Sequence, residues 1–366
     1  MTCVRMAKME DKADFFRLWK ICFGDSDAFC HWFFENRFAP AYSIVLETEG
    51  EVASCMQAFP YALRIRGKKV PGAMLCGVST HPSHRKKGFM GQIFSYEMNH
   101  LRGKNCIVAP HTPAVLPSYF SFGHLPVADA KYLECECVPS FDTSVELVSM
   151  EERHWDKLFP LYERFAANYS GIIWRTKEDF LRKAADYAAD GGKCAAYIKN
   201  NEIKGYAFYY QTEEMLLCVE AAAEDGYYHS LMEGLLACGK GLAFSAKLPP
   251  ELYLSFPFGK LERKQKGVMG LCNGPALLKA LDMEIPYGFK VNDHVVPENN
   301  GVFDFKGNNY TNEPVFEISS GHLLQVLVGY HSLRELEKEI AVFDREKFDE
   351  IDTLLPKQNC YIIDEY

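Results

Sequence analysis

Residues 77–93, GVSTHPSHRKKGFMGQI, carry the strongest structural signal in this sequence. The apolar run 73–78 predicts a strand, and the proline at position 82 marks its end. After Gly88, apolar residues recur at helical spacing to about Leu101, which predicts a helix. A second apolar run, 105–109, predicts a strand after that helix. The stretch therefore predicts a strand, a basic loop, a helix and a second strand in succession.

The basic loop consists of Arg85, Lys86 and Lys87, directly before the predicted helix start. The first backbone N–H groups of a helix have no partner within it, and the helix dipole adds positive potential there. Gly88 lets a ligand approach the backbone closely. This combination favours a polyanion such as a pyrophosphate. The alternative is a solvated surface turn, which is common for runs of like charge. The loop contains neither GxxxxGK[ST] nor GxGxxG, which disfavours a P-loop or a dinucleotide fold.

Bulk properties exclude several classes of protein. The 366 residues predict two or three domains. A net charge of -9 argues against nucleic acid as a partner. No apolar stretch approaches the ~20 residues of a membrane span, and the N-terminal region lacks a signal-peptide core, so a cytoplasmic location is expected. Thirteen cysteines without a CxxC pair predict buried reduced thiols and no metal site.

The order of predicted elements divides the chain into three parts. The first part has helices at 11–23 and 26–36, two antiparallel hairpins and then the strand–loop–helix–strand unit. From about Val145 the pattern partly repeats, with an acidic loop at 220–227 where a phosphate site needs cations. The third part begins near Gly267 with a strand and a helix, followed by further strands and a helix.

The segment Arg85-Lys86-Lys87-Gly88-Phe89-Met90 resembles motif A of the GNAT-type N-acetyltransferases, which reads Arg or Gln, two residues, Gly, one residue, then Gly or Ala. Met90 departs from the last position, and with His84 it is closer to the Eis-like branch (enhanced intracellular survival type). This resemblance implies that the backbone around Val78, Ser79 and Thr80 holds the pantetheine arm of acetyl-CoA. It also implies that the residues of motif A hold the pyrophosphate, namely Arg85, Lys86, Lys87, Gly88, Phe89 and Met90.

Residues 117–124, PSYFSFGH, resemble the segment that follows the fifth strand in the same branch. The resemblance implies that Tyr119 protonates the departing CoA thiolate. A phenol, with a pKa near ~10, stays protonated at neutral pH and can act in this way. The alternative is that Tyr119 only fills a core together with the neighbouring phenylalanines.

The chain ends CYIIDEY, and this apolar run predicts a tail that docks inside the protein. In the Eis-like branch the terminal carboxylate acts as the general base, which implies that role for Tyr366. The alternatives are an ordinary edge strand with an acidic tip, a base at His111 or Glu136, and a chain of water molecules.

The resemblance implies an α/β fold with mixed sheets, in which two GNAT-like modules precede a sterol-carrier-like domain. The expected domains are an acetyl-CoA-binding GNAT domain at 1–142, a degenerate GNAT-like domain at 143–265 and the sterol-carrier-like domain at 266–366. The expected activity is direct acetyl transfer to a primary amine of an aminoglycoside-like, polyamine or lysine-type acceptor, without a metal. Because such proteins often form symmetric oligomers, a homo-oligomer is expected. The rival hypotheses are a transferase with another acyl donor, a non-catalytic CoA- or lipid-binding protein, and a protein that works only within a larger assembly.

Overall fold

The computed structural model describes residues 2–365. The strands are β1 (Thr2–Met6), β2 (Ser43–Thr48), β3 (Glu51–Ile65), β4 (Lys68–Thr80), β5 (Val108–His111), β6 (Leu125–Cys135), β7 (Leu147–Ser149), β8 (Ile172–Ile173), β9 (Lys193–Lys199), β10 (Glu202–Gln211), β11 (Met215–Ala223), β12 (Ala243–Leu248), β13 (Lys260–Leu271), β14 (Gly288–Asn292), β15 (Gly301–Asp304), β16 (Phe316–Ser319) and β17 (Ala341–Val342).

The α-helices are α1 (Lys12–Cys22), α2 (Asp27–Asn36), α3 (Phe89–Gly103), α4 (Phe159–Ala166), α5 (Lys177–Ala189), α6 (Tyr228–Cys238), α7 (Gly274–Leu281), α8 (Ser320–Val328) and α9 (Arg345–Leu354). Short 3-10 helices lie at Met9–Asp11, Pro40–Tyr42, Pro82–His84, Leu116–Phe122, Glu152–Lys157, Pro297–Asn299 and Glu337–Glu339. Between residues 2 and 365, none of the helices combines the length and the apolar character that crossing a bilayer requires.

The chain forms two compact units. The first contains residues 2–128, Ser170–Ile173 and 266–365, and the second contains residues 129–169 and 174–265. The first unit thus holds residues from both the first and the third domain expected from the sequence.

The main sheet of the first unit has the order β1-β2-β3-β4-β5-β13, with β8 beside β3. Its neighbours are antiparallel except for β4 and β5, which run parallel. Parallel neighbours need a crossover connection, and α3 supplies it. Among the described residues, the parallel pair of this sheet is therefore formed by the strand–loop–helix–strand segment predicted from the sequence.

Alternate residues of the main sheet point to opposite faces and bury two separate cores. On one face, Met74 of β4 packs in a core that includes Trp19 of α1 and Phe33 of α2. On the other face, Leu75 packs with Phe94 of α3. The helices α1 and α2 therefore lie on one face of the sheet, and α3 lies on the other. The helix α3 begins shortly after the end of β4.

The C-terminal part of the first unit has its own four-stranded sheet, in the order β15-β14-β16-β17. The rings of Phe289, Phe305, Phe316 and Phe348 pack together over it. The hairpin between β3 and β4 contacts this part through Arg66, whose guanidinium donates to the carbonyls of Val326 and Leu327 at 2.9 Å. Arg66 therefore caps the last turn of α8, where carbonyl groups lack helical partners.

The second unit contains the sheet order β12-β11-β10-β9-β7, with residues 131–135 of β6 paired to β12. Its centre holds an ion pair between Arg175 and Glu220, whose side chains are 1% and 0% exposed. Tyr206 and Tyr187 donate their hydroxyls to the same carboxylate. A buried carboxylate is tolerated here because all of its charge is matched by these donors.

Most predicted elements are confirmed, and the helix after Gly88 runs from Phe89 to Gly103. The strand predicted at 105–109 is wrong by about three residues, since β5 begins at Val108. Asn105 has a φ of 62°, so a left-handed turn delays the strand. The helix α9 was not predicted from the sequence.

Candidate active site

The site is built around a divergence of two strands. β4 and β5 pair at Gly72 and Val108, and β5 pairs along its other edge with β13 from Val108 to His111. A Cβ at position 72 would lie 2.7 Å from the Val108 carbonyl oxygen, so the close approach before the divergence requires glycine. Because the ladder between β4 and β5 covers this one position in the described residues, the part of β4 beyond Gly72 borders a gap rather than β5.

A cleft of about 720 Å³ lies at this divergence. Its walls come from the end of α1, residues 75–78 of β4, Met90 of α3, the segment 111–115 after β5, Ser118, Tyr119, Lys266 and Glu365. All of these segments belong to the first unit. Residues far apart in the sequence therefore meet where the two strands separate.

β4 carries a β-bulge inside the cleft. Gln57 pairs with Cys76 and Cys55 pairs with Ser79, so two residues of β4 oppose one of β3. Gly77 has a φ of 58°, and a Cβ there would lie 2.6 Å from the Trp19 ring. A bulge leaves one residue outside the ladder and redirects its backbone groups. The bulge thus turns the backbone at Val78, which lines the cleft, away from regular pairing.

The loop before α3 is exposed from Arg85 to Gly88. Gly88 is the N-cap of α3 with a φ of 76°, and no side chain caps the helix. The first backbone N–H groups of α3 are therefore free to bind an anion. A Cβ at position 88 would meet no atom within 4 Å, so space is open above this helix start.

The cations of the loop have few internal partners. The Arg85 guanidinium donates to the Thr80 carbonyl at 3.2 Å and to the Cys22 sulfur at 3.6 Å. Lys87 Nζ lies 3.3 Å from His84 Nδ1. Among residues 2–365, no carboxylate forms an ion pair with Arg85, Lys86 or Lys87. Their positive charge is consequently available to a ligand.

The other residues expected at the coenzyme site differ in how deeply their side chains are buried. Val78 and Met90 are half-buried and line the cleft. Ser79 is buried, and its hydroxyl lies 3.1 Å from the Cys55 sulfur. Phe89 packs in the core under α3. Because the side chains of Ser79 and Phe89 are buried, these two residues could contact a ligand only through their backbone groups.

Tyr119 lies on the cleft wall within the 3-10 helix Leu116–Phe122. Its ring packs edge-on against Phe94, with centroids 5.5 Å apart. Burial raises the pKa of the Tyr119 phenol, so the hydroxyl stays protonated. In the described part of the chain its hydroxyl makes no hydrogen bond, which leaves the proton available to a substrate.

Two histidines lie behind Tyr119. His111 lines the cleft and is only 3% exposed, and its ring stands perpendicular to that of Tyr119 at 4.5 Å between centroids. His124 is fully buried, 5.0 Å from His111. Burial lowers the pKa of both imidazoles, to about 3 for His124, so both are neutral.

The end of the chain also reaches the cleft. Residues 360–363 are buried, as the apolar run predicted. Glu365 lines the cleft, with a carboxylate oxygen 3.5 Å from Lys266 Nζ. The expected base, Tyr366, lies outside the described residues. The other carboxylate suggested as a base, Glu136, is exposed and belongs to the second unit.

Sequence reasoning missed the acidic residue on the α1 side of the cleft. Asp25 lines the cleft and accepts a hydrogen bond from the Trp19 indole N–H at 2.7 Å. No motif marks this residue, since it follows Gly24 in a short connection between two helices. Residues 2–365 contain no cluster of three or more His, Cys, Asp or Glu side chains placed to hold a metal ion.

Two family models match parts of the chain. A model described as an acetyltransferase (GNAT) domain matches residues 3–126, and one described as a sterol carrier protein domain matches residues 275–363. The first match contains the loop, Tyr119 and His111, and the second covers the four-stranded sheet. A comparison with the curated proteins gives no match.

Solved structures share the fold over the entire chain. A GCN5-related N-acetyltransferase from Anabaena variabilis is 14% identical, with full coverage of both chains and a TM-score of 0.82. A protein of unknown function from Enterococcus faecalis, described as a probable N-acyltransferase, is 16% identical, with full coverage of both chains and a TM-score of 0.81. Eis1 from Mycobacterium abscessus is 16% identical, with full coverage of both chains and a TM-score of 0.76. At these identities the likeness establishes the fold.

Proposed function

Since this chain joins a GNAT acetyltransferase domain to a sterol carrier protein domain within an Eis-like fold, we propose that it transfers an acetyl group from acetyl-CoA directly to a primary amine. The acetyltransferase domain makes it an N-acetyltransferase. The observation that carries the proposal is the gap between β4 and β5, which has Tyr119 on its wall and Arg85 beside it, donating to the sulfur of the cleft residue Cys22.

The donor is proposed from the loop and the bulge. Arg85, Lys86 and Lys87 supply positive charge, and the N–H groups after Gly88 supply hydrogen bonds to a pyrophosphate. Beyond them, the edge of β4 that borders the gap offers backbone groups to the amides of the pantetheine arm. Met90 lies in the cleft beside this path, so the thioester would reach the cleft.

The chemistry needs only groups of this chain. The amine attacks the thioester carbonyl, and a backbone N–H at the bulge near Val78 stabilises the developing oxyanion. Tyr119 then donates its proton to the departing sulfur. The raised pKa of Tyr119 keeps that proton in place until the thiolate forms. We retain the carboxylate of Tyr366 as the proposed base that takes a proton from the ammonium form of the acceptor before the attack, because the preceding residue, Glu365, lines the cleft.

The acceptor is proposed to be a cationic small molecule. Asp25 and Glu365 place carboxylates on the cleft, and opposite charges attract an ammonium group before it loses its proton. The aromatic rings of Trp19 and Phe23 add surfaces that a cation can face. An aminoglycoside-like, polyamine or lysine-type amine fits this lining. We also propose a cytoplasmic location, which the thirteen free cysteines favour.

The test is calorimetric titration with acetyl-CoA, followed by thiol release with an aminoglycoside, a polyamine and a lysine-containing peptide. We expect the wild type to bind in the micromolar range. The double variant Arg85→Ala with Gly88→Asp should lose at least about 30-fold in affinity, since it removes a charge-assisted contact and adds a negative charge. Lys357→Ala, which removes an exposed cation remote in sequence, is the matched control. No binding by the folded wild type would overturn the proposal, and binding without thiol release would favour a non-catalytic CoA-binding protein.

A further inference from the structure

We infer that His111 carries a proton during the reaction, taking it from the attacking amine and passing it to Tyr119. This inference rests on the proposed amine acetylation and deepens it, because it assigns the path of the proton from nitrogen to sulfur. It makes His111 a further catalytic residue, since a substrate in the cleft would contact its imidazole.

The position of His111 favours this role. It is the last residue of β5, on the side of the gap opposite β4, and it lines the cleft. The centroid of its ring lies 4.5 Å from that of Tyr119, which lines the same cleft. A group bound between β4 and β5 would therefore meet the imidazole and the phenol together.

The hydrogen bonding of His111 also points to a ligand. Its Nε2 atom is buried and has no hydrogen-bond partner within residues 2–365. Leaving a buried polar group unpaired costs about 1–3 kcal/mol, and such groups in folded proteins call for an explanation. No carbonyl or carboxylate of the described residues bonds to Nε2. The nitrogen can therefore form a hydrogen bond with a bound substrate.

A glycine makes room for the histidine behind it. A Cβ at Gly270 would lie 2.1 Å from Nε2 of His124, so β13 accommodates that ring only with glycine at this position. The His124 ring supports that of His111 at 5.0 Å, and neither of its nitrogens has a partner in the described chain. His124 does not line the cleft, which limits it to packing and makes it a control for His111.

The proton balance closes without another reactant. Attack by the neutral amine forms the N–C bond and leaves a positive nitrogen. His111 takes one proton from that nitrogen while the C–S bond breaks and Tyr119 gives its hydroxyl proton to the sulfur. The imidazolium then passes its proton to the phenolate. The amide and the CoA thiol leave, and both residues regain their starting protonation states.

The electrostatic environment drives the last transfer. Burial, and then the neighbouring His124, lower the pKa of His111 well below 6.5, so an imidazolium there is a strong proton donor. Burial raises the pKa of Tyr119, so its phenolate is a strong acceptor. The transfer from His111 to Tyr119 is therefore downhill. The other ionisable groups on the surrounding elements are His124, Glu97 on α3, Lys266 on β13, and Asp364 and Glu365 at the chain end.

The experiment compares His111→Gln and His111→Gly with wild type, using acetyl-CoA and the amine that releases most thiol in the panel above. We expect kcat to fall about 10²–10⁴-fold in both variants, the contribution typical of proton transfer, with acetyl-CoA affinity unchanged. Added imidazole should restore turnover in His111→Gly, and substituted imidazoles should rank by their pKa. A purely structural residue would show no such ranking.

His124→Gln is the matched control, because it changes an equally buried imidazole that does not reach the cleft. Imidazole should not restore any activity lost in that variant. If His111→Gln keeps kcat within about threefold, or if imidazole fails to restore His111→Gly, the relay is overturned while acetyl transfer by the wild type stands. A wild type without thiol release would instead overturn the proposed function. The glutamine variant carries the kcat test alone if the glycine variant fails to fold.

Discussion

The two units each contain a parallel strand pair joined through a helix, and they differ in what lies between the strands. In the first unit, β4 and β5 pair at one position before they diverge. In the second, β11 and β12 stay paired at four positions, from Met215 with Ala243 to Cys218 with Ala246. The same local arrangement thus opens a gap in one unit and remains a continuous ladder in the other.

The helices that connect these strand pairs, α3 and α6, also differ in the charge of the residues before their N-termini. α3 follows Arg85–Lys87 and has Gly88 as its N-cap, whereas α6 follows Glu224 and Asp225 and has Tyr227 as its N-cap. Glu224 already binds Lys204 and Arg164. Negative charge at a helix N-terminus offsets the dipole and repels a phosphate. Electrostatics therefore favours the first unit for the proposed anion site.

The largest expected effect concerns the chemistry of the first unit. Tyr119→Phe removes the proton donor and keeps the ring, so we expect kcat to fall about 10²–10⁴-fold while acetyl-CoA affinity is unchanged. Steady-state thiol release and calorimetry measure the two quantities. Tyr253→Phe makes the same change at a residue that is 84% exposed in the second unit, and it should leave kcat unaltered. Equal losses in both variants would contradict the assignment of catalysis to the first unit.

The next effect concerns the buried ion pair of the second unit. Glu220→Ala leaves the Arg175 guanidinium buried without its partner, and we expect a loss of about 3–5 kcal/mol in the free energy of unfolding. Denaturant unfolding followed by circular dichroism measures it. The double variant Arg175→Met with Glu220→Leu should lose less, because no charge stays buried alone. Acetyl-CoA affinity at zero denaturant should not change, and a parallel loss of affinity would show that the second unit takes part in binding.

The two units also differ in the pKa of a buried glutamate. Burial alone would raise the pKa of Glu220, but the charge and hydrogen bonds of Arg175 outweigh it and lower the pKa. Glu97 on α3 is equally buried with both oxygens unpaired, and burial raises its pKa to about 8. The first unit therefore keeps a neutral carboxyl group in its core, and the second keeps a paired carboxylate.

This difference predicts opposite pH dependences. Between its ordinary pKa of 4.5 and its folded value of about 8, Glu97 holds a proton only in the folded state, so its contribution to stability falls as pH rises through this range. Glu97→Gln removes the titrating carboxyl group, so the stability of the variant does not show this fall with rising pH. Relative to wild type, we expect the variant to gain about 2 kcal/mol between pH 6 and pH 8. Denaturant unfolding at pH 6, 7 and 8 tests this, and the exposed Glu313→Gln should track wild type. Parallel pH profiles for wild type and Glu97→Gln would show that the Glu97 carboxyl group is not neutral in the fold.

The sequence predicted the parts of the site that depend on neighbours along the chain. The loop, Gly88 and α3 are local features, since they rest on charge, backbone freedom and helical periodicity within about twenty residues. The docking of the C-terminal tail was also predicted, because a run such as 360–363 is too apolar to stay in water.

The remaining features depend on tertiary pairing. The sequence suggested two strands where β3 is continuous through Pro60. Proline is tolerated there because the β2 ladder ends at Gln57 and the β8 ladder begins at Leu63, so Pro60 lies between the two ladders on this edge of β3. The cleft position of Asp25 and the unpaired nitrogens of His124 likewise follow from contacts between distant segments, which no local pattern shows.

The smallest expected effect separates charge from strand geometry. Glu224→Lys with Asp225→Lys places cations before α6, similar to those before α3. We expect no second acetyl-CoA site, because β11 and β12 are still paired at four positions and the N-cap of α6 is Tyr227, with a φ of -107°, rather than a glycine. The lost ion pairs of Glu224 are partly exposed, so stability should change by no more than about 1 kcal/mol.

Calorimetric titration with acetyl-CoA, carried out in two backgrounds, tests whether the added lysines create a binding site. In the wild-type background, the stoichiometry of acetyl-CoA should stay at one per chain. With Arg85→Ala and Gly88→Asp also present, the added lysines should restore no binding. A stoichiometry of two, or recovered binding in the second background, would mean that cations at a helix start suffice. The divergence of β4 and β5 would then no longer be required for the site.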